Sequence, residues 1–304
     1  MLKKYLTEII KRKIDNLNEK IIKAFEKVPR ENFVLSGISI DSIYSDQAIP
    51  TFYGKTFLST SSQPSLMALF FKESGLNEGY KVLDLGTGTG YNAAIMAEIV
   101  GEKGLVITTE PEKDVYNIAK ENLKNYKNIV ILNSDGYYGF EEEKFDVILS
   151  TVAVDGIPRI WIEQLKDNGK VIVPIVLGDS LTDYTFIIEK KDKEIFAKFL
   201  IHTSFLRALG KLSFKSKIKI TDYDFNIEKK LNINPKLFEF CITYFNPINN
   251  NISVNSEYGI YKGGILKFKG EKLLNVIENL KDVDLYNSHF KAIEIYDYLN
   301  FIPS

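Results

Sequence analysis

The chain is short of several residue types, and each shortage removes a class of chemistry. Of 304 residues one is cysteine, Cys241, which excludes an intrachain disulfide and a zinc site built from cysteines. Cys241 sits in the apolar run Leu237-Phe238-Glu239-Phe240-Cys241-Ile242, where a small buried hydrophobe is expected rather than a nucleophile. Histidine is almost as scarce. His202 and His289 are the two, and both read as core or surface residues far in sequence from any glycine-rich turn. Arginine numbers four against 35 lysines, which leaves few guanidinium forks to clamp phosphate. A net charge of −1 gives no general attraction to nucleic acid or to an anionic membrane. No apolar run approaches the roughly 20 residues that span a bilayer. Residues 1–13 alternate charged and apolar side chains at helical spacing, unlike a secretory signal. A cytoplasmic protein with neither nucleic-acid nor membrane partners, and with no metal, is expected.

What remains is ordinary in bulk and specific in one place. The length suits a main domain with an appendage, and 45% hydrophobic with 26% charged residues suits a globular core. Residues 1–28 read as one or two amphipathic helices with Leu17, Ile21, Ile22, Phe25 and Val28 along one stripe, ended by Pro29. Residues 33–60 read as an irregular surface segment. Ser61-Ser62-Gln63-Pro64 then reads as a helix start with serine as the cap. From Lys81 onward strands near 81–85, 105–109, 129–133, 145–150 and 170–176 alternate with helices at about 91–100, 112–125 and 157–166. That order implies a doubly wound α/β fold, a parallel sheet with helices on both faces. Asp183 to Glu189 and Glu194 to His202 suggest an antiparallel hairpin at the sheet edge, turning at 190–193. Residues 213–304 read as a small α+β appendage. It would hold a strand over 215–220, a hairpin over 258–269 around Gly263-Gly264, and helices at 271–281 and 288–299.

The specific place is Lys81-Val82-Leu83-Asp84-Leu85-Gly86-Thr87-Gly88-Thr89-Gly90-Tyr91. A buried strand runs into glycines at alternate positions and then into an apolar helix, so a ligand can lie against bare backbone and a helix N-terminus. The spacing is Gly-x-Gly-x-Gly, with Tyr91 where a dinucleotide fingerprint would carry its third glycine. Glu110 closes the second strand twenty residues after Gly90, where its carboxylate can accept both hydroxyls of a ribose. Asp135-Gly136 follows the third strand, beside the same crevice, and suits the exocyclic amine of adenine. Singly each piece has a plain alternative, since Asp-Gly is a common turn and Glu110 before Pro111 is a helix-start acid. Together, in this order, they point to S-adenosyl-L-methionine. With so few bases in the chain, the acceptor suited to it is one already ionised at neutral pH, such as a carboxylate with its reference pKa near 4.

At this point the sequence resembles the protein-L-isoaspartate O-methyltransferase family over roughly residues 20–212. The resemblance rests on Val28-Pro29-Arg30-Glu31-Asn32-Phe33, Tyr44-Ser45-Asp46 with Ile49-Pro50, and Thr60-Ser61-Ser62-Gln63-Pro64. It continues through the glycine turn, Ser134-Asp135-Gly136-Tyr137, Leu165-Lys166-Asp167-Asn168-Gly169 and Ile172-Val173-Pro174. It implies a Rossmann-like methyltransferase domain over 1–212 with a C-terminal extension similar to that of certain thermophilic members. The reaction implied is methyl transfer to the free carboxylate of L-isoaspartyl residues in damaged proteins and peptides. The family's catalytic serine falls on Ser62. Cofactor binding would fall to Asp84, Gly86, Thr87, Gly88, Gly90, Glu110, Asp135 and Gly136, and the acceptor groove to Tyr44, Asp46, Ile49, Pro50 and Thr60. Two departures stand out. Ser61 replaces an aliphatic residue common in the family, and Thr151-Val152-Ala153-Val154-Asp155 replaces an alanine-rich stretch, where Asp155 would repel an anionic acceptor or cap a helix. Two other readings stay open: a methyltransferase of this fold with another acceptor, and a non-catalytic S-adenosylmethionine-binding adaptor.

Overall fold

The computed structural model describes residues 2–54, 58–154, 156–176, 183–191 and 194–212, together with the residue pairs 229–230, 265–266 and 290–291. Two N-terminal helices, α1 (Leu2–Lys13) and α2 (Glu19–Lys27), are separated by a turn in which Asn16 adopts a φ of 52°. The Asn18 side chain caps α2 by accepting from Lys20 N at 2.9 Å. Ile21, Ile22, Phe25 and Val28 are buried as their spacing requires, and Leu17 is partly buried against the same cluster.

The segment 33–60 departs from the expected surface loop. It contains a short helix α3 (Ile40–Ile43) and an antiparallel hairpin of β1 (Ile49–Tyr53) and β2 (Leu58–Ser61). Phe33, Ile43, Tyr44 and Ile49 are buried. Its irregular backbone is tolerated inside because one buried side chain, Arg30, satisfies several of its carbonyls, and a polar segment without such a partner would be expelled to solvent. The next helix, α4 (Pro64–Ser74), begins one residue later than serine capping would place it. Gln63 is the N-cap residue, and the Asp46 carboxylate accepts from Ser65 N at 2.8 Å across the chain.

The main sheet is built from β3 (Lys81–Leu85), β4 (Leu105–Thr109), β5 (Ile129–Leu132), β6 (Phe145–Ser150), β7 (Leu165–Ile175), β8 (Asp183–Lys191) and β9 (Glu194–Thr203). These lie in the spatial order β9-β8-β7-β6-β3-β4-β5. The five strands from β5 to β7 are mutually parallel, while β8 and β9 form the antiparallel edge hairpin. Helices α5 (Tyr91–Val100), α6 (Lys113–Asn122) and α7 (Arg159–Gln164) make the crossovers. Alternation along each strand feeds two cores. Val82, Val106, Val147 and Ile172 join the cluster with α1, α2, α4 and α5, and Leu83, Ile107, Ile148 and Val171 join the one around Trp161. Being covered on both faces is what lets these strands bury apolar side chains on both sides rather than alternate apolar with exposed polar ones.

Three expected boundaries move. α7 is shorter than 157–166 because β7 already starts at Leu165, its first residues distorted where Asn168 takes a φ of 60°. β8 runs on to Lys191, so the first half of the expected turn at 190–193 is strand and the rest lies outside the described residues. Phe290–Lys291, inside the helix expected over 288–299, is a short strand antiparallel to β9. Lys229–Lys230 pairs with Ile265–Leu266. The remainder of the expected appendage, with Cys241 and His289, lies outside the described residues, as does Asp155. No helix among the described residues is long and apolar enough to cross a membrane.

Candidate active site

The C-terminal ends of β3, β4 and β6 open into a cavity of about 280 Å³ at the point where the strand order reverses direction. This is where ligands enter open α/β sheets. Gly86 and Gly88 form one wall, Glu110 and Gly136 stand at one end, and Thr60 of β2 faces them. Gly86 has a φ of 96°, and a Cβ there would lie 2.8 Å from Val152 Cγ1, so a side chain is excluded by both conformation and space. A Cβ on Gly136 would lie 2.9 Å from Leu85 Cδ2 and 3.0 Å from Thr109 Oγ1. Trp161, fully buried, holds Gly136 in place by donating from Nε1 to its carbonyl at 2.9 Å.

Glu110 lines this cavity together with two other charged residues, Glu112 and Arg207, and is the one that ties its parts together. Its Oε2 accepts from Gly88 N at 3.0 Å and its Oε1 from Glu112 N at 3.1 Å, so the carboxylate ties the tip of β4 to the glycine turn. Burial pushes its pKa up to about 7 despite these bonds. Thr109 Oγ1 lines the same cavity, buried and without a hydrogen-bond partner among the described residues. A buried hydroxyl, a carboxylate and bare glycine backbone meet the needs of an adenosine with a polar amino-acid tail, so the residues present fit S-adenosylmethionine.

The other sequence candidates stand behind the wall. Asp84 is fully buried on the α5 side, accepting from Thr108 Oγ1 at 2.8 Å and from Asn92 Nδ2 at 3.2 Å, and burial pushes it up to about 7. Thr87 Oγ1 and Thr108 Oγ1 share a hydrogen bond at 2.6 Å, which continues that chain beneath the turn. Gly90 is the N-cap of α5 and packs on Leu123. Asp135 accepts from Tyr137 N at 2.9 Å and from Lys211 N at 2.6 Å. It braces the Gly136 end of the cavity from behind the lining.

On the acceptor side the structure brings Thr60 to the cavity and keeps the others back. A Cβ on Gly88 would lie 3.3 Å from Ser59 Oγ and 3.9 Å from the Thr60 carbonyl, so β2 runs directly over the glycine turn. Ser62 is half-buried in the turn between β2 and α4, next to this contact. Pro50 pairs with Thr60 and Ile49 with Ser61 across the hairpin. Tyr44 is buried and donates to Glu31. Asp46 also accepts from Lys13 Nζ at 2.6 Å, Gln63 Nε2 at 3.0 Å and Ser65 Oγ at 2.7 Å. Burial would raise its pKa, but these bonds hold it below the usual carboxylate range. His202 packs on Tyr184 and Phe199, with ring centroids 4.7 and 4.9 Å away, and does not line the cavity.

Sequence reasoning missed the roof. Residues 204–212 leave β9 and cross back over the cavity, contributing Leu206, Leu209 and Leu212 to its lining. The strap is pinned where Ala153 N donates to Leu206 O and Ala208 N to Ala153 O, both at 2.8 Å, and where Phe205 N donates to Asp183 Oδ2 at 2.6 Å. The one signal available is the leucine at every third position after the edge strand, Leu206, Leu209 and Leu212, which falls at the boundary expected for the appendage. Thr151 and Val152, after β6, complete the wall beside Gly86.

A parallel sheet with an acid at the tip of its second strand, facing a glycine turn at the end of its first, defines the Rossmann-like S-adenosylmethionine-dependent methyltransferases. Within that class the chain belongs to the family described as Protein-L-isoaspartate(D-aspartate) O-methyltransferase (PCMT), whose family model matches residues 1–213. A protein-L-isoaspartate O-methyltransferase of Thermotoga maritima is 40% identical over 218 residues, which is 70% of this chain and 69% of that one. One from Archaeoglobus fulgidus is 39% identical over 178 residues, 58% of this chain and 79% of that protein. Among solved structures, one titled protein-L-isoaspartate O-methyltransferase superposes with a TM-score of 0.68 at 37% identity, covering 79% of this chain and 77% of that one. A putative enzyme of the same name from Plasmodium falciparum, in complex with S-adenosyl-L-homocysteine, gives 0.57 at 27% identity, covering 68% of this chain and 97% of that one.

Proposed function

We propose that this chain transfers the methyl group of S-adenosylmethionine to the free carboxylate of L-isoaspartyl residues in proteins and peptides, the first step of a repair reaction. Bound S-adenosylmethionine supplies a methyl group on a sulfonium, which an oxygen nucleophile can displace in line. The residues of the chain then have three tasks. Glu110 takes the ribose hydroxyls and Asp135-Gly136 frames the adenine, while Gly86 and Gly88 let the methionine end lie against backbone. The Ser62 turn holds the acceptor carboxylate by hydrogen bonding from its hydroxyl. The leucine strap and the β2 backbone keep water from the reacting atoms.

What supports this reading is the contact of β2 with the glycine turn: Ser59 and Thr60 of the strand that leads into Ser62 line the cavity, Ser62 itself follows two residues on, and no histidine is among the lining residues. An ionised carboxylate needs no base to react, so placement is what the protein has to contribute. The product ester closes to a succinimide without enzymatic help, which opens a route back to a normal backbone.

Radiolabelled methyl transfer to an isoaspartyl peptide and to its aspartyl twin tests the proposal. Transfer to the isoaspartyl form alone is expected. Tight S-adenosylmethionine binding without transfer to either peptide would favour the adaptor reading, and transfer to some other acceptor class would favour a different methyltransferase.

A further inference from the structure

The least economical side chain in the molecule is Arg30. It is 0% exposed, and among the described residues no carboxylate accepts a hydrogen bond from it. A buried cation is costly unless every donor is met. Here they are met by backbone carbonyls and one serine hydroxyl. Nη1 donates to Ile43 O and Ser45 O, both at 3.0 Å, and Nη2 to Gln47 O at 2.9 Å, Ser62 O at 3.1 Å and Ser61 O at 3.3 Å. Nε donates to Ser61 Oγ at 3.2 Å. Its Cζ also lies 5.6 Å from the ring centroid of Tyr91, the first residue of α5 after the glycine turn. The same 3-10 turn, Arg30–Phe33, docks on the glycine loop where Thr89 Oγ1 donates to Phe33 O at 2.6 Å.

Two stretches of backbone, the 43–47 segment and the 61–62 turn, and the Tyr91 ring at the start of α5 therefore meet at one guanidinium. We propose that Arg30 is a positioning residue for methyl transfer, fixing the direction of the Ser62 hydroxyl relative to both the acceptor groove and the donor cavity. The proposal rests on the role given above to Ser62. Arg30 acts through the Ser61 and Ser62 carbonyls, since holding both peptide planes leaves the Ser62 Cα–Cβ bond one direction. A planar fork with five N–H donors can span these acceptors at once, whereas the compact ammonium of lysine cannot. Ser61, which stands where relatives of this family commonly carry an aliphatic residue, gives the Nε–H of this chain an additional acceptor.

A double-mutant cycle on the full chain separates positioning from mere stabilisation. The variants are Arg30→Lys, Ser62→Ala and the pair, each read by the single-turnover rate of methyl transfer to an isoaspartyl peptide at saturating cofactor. Titration with S-adenosylhomocysteine accompanies each. Arg30→Lys is expected to slow transfer about 10- to 50-fold while S-adenosylhomocysteine affinity changes by no more than about twofold. In the Ser62→Ala background the same substitution is expected to cost no more than about threefold, because residues that act as a unit are non-additive. Losses that multiply in full, a wild-type rate for Arg30→Lys, or a fall in cofactor affinity equal to the fall in rate would each overturn the proposal. A wild-type rate for Ser62→Ala alone would instead remove the serine role on which it rests. Should Arg30→Lys not fold, Ser61→Ala removes only the Nε acceptor and carries the same cycle. An uncoupled or absent loss there would overturn the proposal equally.

Discussion

The pKa of Glu110 makes cofactor affinity depend on pH in a direction that can be worked out beforehand. A ribose offers two O–H donors, and only the ionised carboxylate accepts both. In the free protein burial holds this group at about 7, so near neutrality half the molecules carry it protonated. If binding selects the ionised form, the apparent Kd is the intrinsic value divided by the ionised fraction, which weakens binding about tenfold at pH 6 relative to pH 8. The positive sulfonium adds to the same preference. Glu110→Gln abolishes the dependence, because the amide does not titrate. At pH 8 it also forfeits the charge assistance on two hydrogen bonds, about 1–3 kcal/mol or roughly 5- to 150-fold in Kd. The two proteins should thus differ most at pH 8 and draw together toward pH 6. Titration calorimetry with S-adenosylhomocysteine from pH 6 to 8 measures both curves, and wild type should release close to one proton per ligand bound at pH 6. A flat wild-type curve would refute the assignment of Glu110 to the ribose. A slope kept in Glu110→Gln would show that another group, with buried Asp84 the foremost candidate, is the one that titrates.

The rest of the site carries further expectations. At saturating cofactor, kcat should show no ascending limb near neutral pH, whereas kcat/KM for the cofactor should, and a limb in kcat that disappears in His202→Ala would restore a histidine base. Asp84 is held at about 7 in the fold against about 3.9 unfolded, so between pH 4 and 7 the folded state keeps a proton that the unfolded chain has lost. Its contribution to stability therefore falls as pH rises through that window, by about 2 kcal/mol between pH 5.5 and 8, and urea titrations should show a shallower decline in Asp84→Asn. Gly86→Ala, with its Cβ 2.8 Å from Val152 and a φ of 96°, should cost about 1–3 kcal/mol of stability and lower cofactor affinity at least tenfold in calorimetry. A chain ending at Leu212 should still bind S-adenosylhomocysteine, since the strap that closes the cavity would be intact; loss of binding in a folded truncation would give residues 213–304 a part in the site.

The doubly wound sheet was legible because its strands are buried on both faces. Mostly apolar runs such as Lys81-Val82-Leu83-Asp84-Leu85 and the apolar Val147-Ile148-Leu149, punctuated by turn residues, leave few other arrangements. The donor side was legible for a related reason. Gly86, Gly88, Glu110 and Gly136 all lie at the ends of consecutive parallel strands, so their order along the chain is also their order around the cavity. The acceptor side was not, because its architecture depends on long-range bonds from Arg30 and Asp46, and no local pattern in residues 33–60 encodes carbonyls that point at a distant guanidinium. Ser62 was read as a helix cap on local chemistry alone, whereas the cap of α4 is supplied by Asp46, 19 residues before Ser65. The strap escaped notice because its leucines become a lining only once β8 and β9 have carried the chain back across the sheet.

That strap also sets the order in which the protein becomes competent during synthesis. The walls of the cavity are complete only when the chain has passed Val152, since Thr151 and Val152 stand beside Gly86. The roof is drawn from the stretch up to Leu212, pinned by Ala153 and Asp183. A nascent chain therefore exposes a glycine-lined cleft for some 60 residues of elongation, several seconds at ordinary rates, before it can enclose a ligand. A chain stalled or cut between Val152 and the strap would present these walls without the roof that Leu206, Leu209 and Leu212 provide.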